Sequence, residues 1–268
     1  MKKIIFLLFT VLTYTRGTTQ EANKLNHEIG VLAGFNITSI TDKRFSNLEK
    51  KYIQPKLGLV ISKWNTQRRE EFLISYTTNT AVNNPKNIWY KVIHPEVNYT
   101  YQRRVSNMWI GGSFQSSTLL LFPNNGRRLY NNNPISYTIA NSLGIAINRS
   151  ISVLQNEDQK ADIGFGFRSS LLTHLIRPAY AHPYPEHYLQ EEVFSPTRSG
   201  LGKSIVKSGK LKTINKYYNM RLVIGFNYIH GNNVKFNFQY IINIENSNEA
   251  KALTQKNHNL IFGVSYLH

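Results

Sequence analysis

The chain has 268 residues, contains no cysteine and carries a formal net charge of +17 at pH 7. The lack of cysteine excludes disulfides, thiolate metal sites, cysteine nucleophiles and lipid attachment at an N-terminal cysteine. The surplus of Lys and Arg favours an anionic partner. Nucleic acid is not the expected partner, because the basic residues are spread among predicted connections and match no nucleic-acid-binding motif.

The start of the chain is organised like a secretion signal. Two lysines precede an apolar run from Ile4 to Leu12, and the small residues Gly17 and Thr19 follow. The run is far shorter than the roughly 20 apolar residues of a membrane-spanning helix. The pattern predicts a signal peptide at residues 1–19 and a single domain at residues 20–268, with a buried first strand as the alternative.

Beyond the signal, period-2 alternation of apolar and polar residues recurs and strong helical periodicity is absent. Each alternating segment reaches the roughly 9 to 11 residues of a transmembrane β-strand, and single-chain bacterial barrels have an even number of strands. The pattern therefore predicts an all-β protein, an antiparallel up-and-down transmembrane β-barrel of about 10 strands, with a range of about 8 to 12. The predicted strands lie near residues 27–39, 54–64, 70–80, 88–103, 107–121, 135–149, 161–176, 214–229, 233–245 and 258–268.

The predicted connections alternate in length. Transmembrane barrels have short turns at one end and longer loops at the outer end. The even-numbered connections are mostly short, whereas the odd-numbered ones are mostly long, and the longest is the predicted outer loop at residues 177–213. This alternation places both ends of the chain on the side of the short turns.

The final stretch, from Asn259 to His268, alternates apolar and polar residues up to the last position. Gly263, Tyr266 and His268 resemble the C-terminal assembly signal of Gram-negative outer-membrane barrels, in which a glycine, an aromatic residue and a terminal aromatic residue recur. His268 departs from that pattern, because phenylalanine or tryptophan is usual there. The resemblance implies location in the cell outer membrane and an assembly role for these three residues. The implied partners are outer-membrane lipid, lipopolysaccharide, the barrel-assembly machinery and an envelope protein.

One face of the predicted strands collects glycines and polar residues, which favours a narrow polar lumen with the apolar face toward lipid. Charges enclosed in such a lumen must be paired or hydrated. The sequence predicts a polar network there that holds the barrel together, and a selective pore lined by Arg168 and Arg221 is the alternative. The predicted lumen residues are Glu28, His94, Glu96, Arg168, Arg221, Lys235 and Glu245.

The predicted outer loop carries two sets of candidate binding residues. The first set is basic and predicts anion binding; it comprises Arg198, Lys203, Lys207, Lys210 and Lys212. The second set, His182, Glu186 and His187, has side chains that ligate zinc or copper. Prolines between these residues make their spacing nonhelical, and no motif positions a third histidine. We therefore expect no metal and no cofactor.

These features predict a noncatalytic outer-membrane β-barrel that serves surface binding or adhesion, or an accessory subunit of an envelope complex. The first alternative is a lipid-modifying enzyme. Its candidate pair is Ser39 and His258, which fall on the lipid-facing register at the outer ends of the first and last strands. The second alternative is a soluble exported carrier barrel, in which the apolar face would line an internal cavity.

Overall fold

The computed structural model describes residues 25–43, 49–79, 90–123, 136–156, 158–177, 209–231, 233–248 and 252–268. The predicted signal peptide at residues 1–19 lies outside these ranges. No helix within them is long and apolar enough to cross a membrane. The described chain forms eleven strands: β1 (Asn26–Asp42), β2 (Lys50–Trp64), β3 (Arg68–Thr78), β4 (Tyr90–Val105), β5 (Met108–Pro123), β6 (Ser136–Gln155), β7 (Gln159–Ile176), β8 (Lys210–Thr213), β9 (Tyr217–His230), β10 (Val234–Ser247) and β11 (Leu253–Leu267).

Ten long strands form a closed antiparallel ring. Strands β1 to β7 each pair with the next, β7 pairs with β9, and β9 to β11 continue in chain order. The ring closes where β1 pairs with β11, from Glu28 opposite Leu267 to Asp42 opposite Leu253. The predicted up-and-down barrel of about ten strands is confirmed.

The short strand β8 differs from the sequence prediction, which assigned residues 210–213 to the outer loop. Lys210–Thr213 pairs with Leu172–Leu175 of β7, whereas β9 pairs with β7 only from Gln159 to Ser169. The turn at residues 214–216 lies between β8 and β9, the two strands that pair with successive parts of β7. At this break the Ser170 hydroxyl accepts a hydrogen bond of 2.8 Å from the Asn219 backbone N–H.

The two faces of the barrel are reversed relative to a soluble protein. Large apolar side chains point outward, and Phe35 and Ile53 are 62% and 72% exposed. Polar side chains such as Gln54 and Gln102 are buried inside. An apolar outer surface around a polar interior is the arrangement of a transmembrane barrel. The soluble-carrier alternative is wrong, since it required the apolar face to line the interior.

Glycines permit close approach of neighbouring strands on the inner face. A Cβ atom added to Gly34 would overlap the carbonyl oxygen of Leu260, and one added to Gly111 would overlap that of Tyr101. At these two positions any side chain would push adjacent strands apart. The glycine-rich face therefore points inward, as the sequence predicted.

We expect Phe226→Arg to destabilise the barrel far more than Asn227→Arg. Phe226 faces outward and is 44% exposed, so an arginine there would enter lipid at a cost of roughly 2 kcal/mol or more. Asn227 faces the interior, where its amide donates to Asp162 at 2.8 Å, and an arginine there can pair with that carboxylate. Urea-induced unfolding in lipid vesicles measures both variants. Equal or greater damage from Asn227→Arg would contradict the assignment of the faces.

Candidate functional site

The interior of the barrel is the candidate site, and it has three layers. We call the end with the β2–β3, β4–β5 and β9–β10 turns the turn end, and the opposite end the loop end. An open cavity lies at the turn end, a layer of charged and polar side chains fills the middle, and an apolar layer lies at the loop end. The alternation of each strand places these side chains inside.

The structure places all seven predicted lumen residues on the inner face. Glu28, Glu96 and Glu245 are each 4% exposed, and His94 and Arg221 are nearly as buried. Arg168 and Lys235 line the cavity at the turn end. All seven side chains point inward because alternate residues of a strand face the same side, and residues paired across neighbouring strands also face the same side.

An ion pair crosses the lumen between opposite walls. The Arg168 guanidinium on β7 donates to the Glu71 carboxylate on β3 at 2.7 Å, and Arg69 donates to the same carboxylate at 3.0 Å. Strands β3 and β7 are not neighbours in the ring. The Arg168–Glu71 pair therefore acts as a strut that connects the two sides of the barrel.

A second ion pair fills the middle layer. The Lys56 ammonium donates to the Glu96 carboxylate at 2.8 Å, and both side chains are almost fully buried. Ser75 and Gln115 donate to the same carboxylate, each at 3.2 Å. With three donors, the hydrogen-bonding needs of this buried carboxylate are met.

Two further ion pairs join strands that are not adjacent. Lys235 on β10 donates to Glu28 on β1 at 3.0 Å. Arg177, which follows β7, donates to Asp42 on β1 at 2.7 Å. The sequence analysis missed Asp42 and assigned Arg177 to the outer loop.

Two more network residues, Lys56 and Glu71, were also missed. A signal for both was present in the alternation. Lys56 precedes Leu57 and Glu71 precedes Phe72, and both of these apolar residues face outward. Strict application of the period-2 rule to β2 and β3 would have placed Lys56 and Glu71 inside.

The apolar layer at the loop end was not predicted. Its main cluster is inward-facing and buried, and it comprises Ile40, Tyr52, Val92, Leu119 and Leu253. In three of these strands one outward neighbour is polar, namely Thr41, Lys51 and Thr254, although Ile53 beside Tyr52 is apolar. The inner face thus gains apolar residues where the outer face becomes more polar, which indicates that the strands begin to project beyond the hydrocarbon here.

The cavity at the turn end, which we call the vestibule, has a volume of about 310 Å³. Trp64 and Trp109 line it near the turns, and Arg168 and Arg221 line it deeper in the barrel. Farther toward the loop end, two small cavities beside Arg221 have volumes of about 10 Å³ each. Such a volume holds about one water at most, so the described side chains fill most of the space around Arg221 beyond the vestibule.

The structure does not bring the candidate catalytic pair into contact. Ser39 lies opposite Lys256, whereas His258 lies opposite Ile37. The Ser39 hydroxyl donates to the Glu49 carboxylate, and His258 Nδ1 forms a 2.8 Å hydrogen bond with the Tyr240 hydroxyl. Each candidate therefore has another partner, and the geometry of a serine activated by histidine is absent at this pair.

The predicted loop sites lie mostly outside the described residues. This applies to Arg198, Lys203, Lys207, His182, Glu186 and His187. Lys210 and Lys212 are described and lie on β8 at the loop end. Within the described ranges, no group of three or more His, Asp or Glu residues could hold a metal ion.

The three residues of the predicted assembly signal lie on or beside β11. Gly263 faces the interior next to Leu32, and Tyr266 faces outward with 55% exposure. The backbone of His268 exchanges hydrogen bonds of 2.8 and 2.9 Å with His27. The assembly role of these residues stays a prediction.

Comparison with solved structures finds bacterial membrane barrels. The translocator domain of the autotransporter NalP from Neisseria meningitidis is 10% identical and has a TM-score of 0.41, with 99% of this chain and 94% of that chain covered. Ail, the attachment invasion locus protein of Yersinia pestis, solved with the heparin analogue sucrose octasulfate, is 10% identical with a TM-score of 0.27 and coverage of 90% and 99%. The toluene transporter TbuX of Ralstonia pickettii is 9% identical with a TM-score of 0.29 and coverage of 90% and 89%.

No protein-family model matches the chain, and no curated protein matches it. The class is defined by the barrel itself. A closed antiparallel ring of ten strands, apolar outside and polar inside, is the architecture of small Gram-negative outer-membrane β-barrels. This is the class that the protein resembles, and no narrower family is assigned.

We expect Glu71→Gln to destabilise the barrel by roughly 3 kcal/mol, because it leaves the Arg168 guanidinium without its carboxylate in the lumen. The matched control is Glu70→Gln on the outer face, where the Lys63–Glu70 pair is 3.0 Å long and the lysine side chain is 47% exposed. An exposed pair of this kind contributes about 1 kcal/mol or less. Unfolding by urea in lipid vesicles gives both values, and a larger loss for Glu70→Gln would refute the importance of the strut.

Proposed function

We propose that this protein is a noncatalytic outer-membrane β-barrel that binds an anionic partner at the cell surface and does not conduct solutes through its lumen. The observation that carries the proposal is the filled interior beyond the vestibule. Small cavities, cross-lumen ion pairs and an apolar layer follow one another toward the loop end.

The filled interior argues against transport for two physical reasons. Ion pairs such as Lys56–Glu96 would have to separate within a confined space before a solute could pass, which would leave buried charges unpaired. At the level of Leu253 the apolar cluster lies beside the buried Asp42–Arg177 ion pair, which a passing ion would also have to separate. Barrels of about eight strands have interiors just filled by side chains, whereas aqueous channels have roughly 16 or more. Ten strands lie near the filled end of this range.

Location in the outer membrane is supported by the reversed faces and by the closed ring. Within hydrocarbon, every backbone polar group must be paired inside the protein, and only helices and closed barrels meet that requirement. The predicted signal peptide and the resemblance of the final residues to an assembly signal support export and assembly there. In this membrane the turn end faces the periplasm and the loop end faces the exterior.

The loop end supplies the basic residues for surface binding. Lys210 and Lys212 lie on β8, and the segment that precedes them adds Arg198, Lys203 and Lys207. Phosphate groups of lipopolysaccharide are the anions nearest to this end of an outer-membrane barrel. A lipid-modifying enzyme is less well supported, because Ser39 and His258 each contact another residue.

We expect no steady conductance when the purified protein is inserted into planar lipid bilayers. The middle and apolar layers leave no continuous water path through the described part of the lumen. A large water-filled porin in the same bilayer confirms that the recording detects pores. Steady ohmic currents from the wild-type protein would contradict the proposed nonconducting role.

We expect replacement of Lys203, Lys207, Lys210 and Lys212 by glutamine to weaken binding to lipopolysaccharide about tenfold or more, since four charge contacts with the partner would each contribute up to about 1 kcal/mol. The matched control removes as many charges at the turn end, by replacing Lys63, Arg68, Arg104 and Lys160 with glutamine.

The lipopolysaccharide measurement uses protein folded in zwitterionic micelles at 0.1 M and 1 M salt, between which the Debye length falls from about 10 Å to about 3 Å. Binding that depends on the loop-end charges decreases over this range. Equal losses of affinity in the two sets of variants would show that binding depends only on net charge. That result would overturn the assignment of the binding site to the loop end.

A further inference from the structure

The vestibule contains a buried cation that no described carboxylate contacts directly. Arg221 is 7% exposed, and its Nε atom has no hydrogen-bond partner. Among the residues that the structure describes, no carboxylate forms an ion pair with its guanidinium. A buried charge without a partner is costly, so this side chain calls for a physical explanation.

A like charge lies directly opposite Arg221. Arg168 pairs with it across β7 and β9, and side chains at directly opposite positions have Cβ atoms about 4.5 to 5.5 Å apart. Like charges in such positions repel each other. The Glu71 carboxylate contacts Arg168 at 2.7 Å and Arg69 at 3.0 Å, whereas Arg221 has no direct carboxylate contact of this kind within the described part of the chain.

Three of the lumen carboxylates already have cationic partners. Glu71 accepts from Arg69 and Arg168, and Glu96 accepts from Lys56, Ser75 and Gln115. Glu28 accepts from Lys235 and Ser62. Water in the vestibule can hydrate Arg221, and an anion bound there would also offset the repulsion from Arg168.

The opposite wall of the vestibule carries an apolar patch beside the charged residues Glu28, Arg69 and Glu71. Leu32, Val60 and Leu73 line it on β1 to β3, across the barrel from β7 and β9. The cavity volume of about 310 Å³ lies at the lower end of the roughly 300 to 1,000 Å³ of small-molecule sites. A bound molecule can therefore place an anionic group on Arg221 and an apolar body against this wall.

We propose that the vestibule is a binding site for a small organic monocarboxylate, which enters from the turn end and docks its carboxylate on Arg221. The planar guanidinium fork matches the two oxygens of a carboxylate. Of the two arginines in the deep part of the cavity, Arg168 contacts Glu71 and Arg221 contacts no carboxylate among the described residues, so a monoanion matches the single charge of Arg221. This site is separate from the loop end and does not depend on what the loops bind.

The test uses the full barrel folded in zwitterionic micelles and titration calorimetry. The probes are benzoate, benzyl alcohol as the uncharged analogue, and phenyl phosphate as the dianionic analogue. We expect the wild-type protein to bind benzoate at least about tenfold more tightly than either analogue, because a charge-assisted hydrogen bond is stronger than a neutral one and the site has one charge to satisfy.

The decisive variant is Arg221→Gln, which keeps a polar side chain but removes the charge and the fork. We expect it to bind benzoate about tenfold more weakly or worse, whereas the control Arg104→Gln, an exposed arginine outside the vestibule, binds it like the wild type. Without benzoate, Arg221→Gln should be at least as resistant to urea as the wild type, because it removes an unpaired buried charge. Should that variant fail to fold, Arg221→Lys keeps the charge without the fork and should bind benzoate with intermediate affinity.

Three results would refute the proposed binding site. These are a lack of benzoate binding by the wild type, equal binding by Arg221→Gln, and benzyl alcohol that binds as tightly as benzoate. Tighter binding of phenyl phosphate than of benzoate would refute the monocarboxylate assignment. Protection of the wild type against urea by benzoate, absent in Arg221→Gln, would support the site independently of the calorimetry.

Discussion

The barrel depends on pairing of its first and last strands. In hydrocarbon an unpaired backbone N–H or C=O group costs several kcal/mol, so an open sheet with ten strands could not remain there. Pairing of β1 with β11 removes both edges, and the hydrogen bonds between His27 and His268 extend the seam to the end of β11. Once the ring closes, every strand must present one face to lipid and the other to the lumen. The reversed distribution of apolar and polar residues follows from that closure.

Closure of a ten-strand ring also produces a narrow interior, and this explains the nature of its ion pairs. In a wide pore the charged side chains would be surrounded by water, whereas here Lys56 and Glu96 are almost fully buried and must satisfy each other. Because the lumen is narrow, Arg168 on β7 reaches Glu71 on the opposite wall. The ion pairs therefore connect strands that share no backbone hydrogen bonds. They supply the contacts that an apolar core supplies in a soluble barrel.

The sequence predicted the strands and their faces well, since both depend on local alternation. Phe226 and Asn227 are adjacent in the chain and face opposite sides, as period 2 requires. The sequence did not predict which charged side chains of the lumen would form ion pairs with each other. The partner of Arg168 depends on the circumference and stagger of the ring, which no single strand encodes. Glu71 became its partner only when β3 and β7 were placed on opposite walls.

The apolar layer was missed for a different physical reason. The alternation rule assumes that the apolar face meets lipid, and that assumption fails where strands project beyond the membrane. Ile40 and Leu253 lie there with apolar side chains inside and polar neighbours outside. The predicted first strand stopped at residue 39 and the last began at residue 258. Near those positions the apolar residues switch from the outward face to the inward face. A search for a reversal of faces along each strand would have extended both strands.

The layers make the two ends of the lumen physically different. The loop end of the described lumen contains buried apolar side chains and the Asp42–Arg177 ion pair, while the vestibule opens at the turn end and contains Arg221, which has no direct carboxylate contact there. A molecule bound at Arg221 would be separated from the loops by the Lys56–Glu96 pair and by the apolar layer. Any coupling between the vestibule and the loops would require that middle layer to adopt a second arrangement, since packed interiors transmit changes by switching between discrete states. With the middle layer as the structure shows it, the two ends of the lumen are physically separated, so ligands proposed for one end would not contact the other.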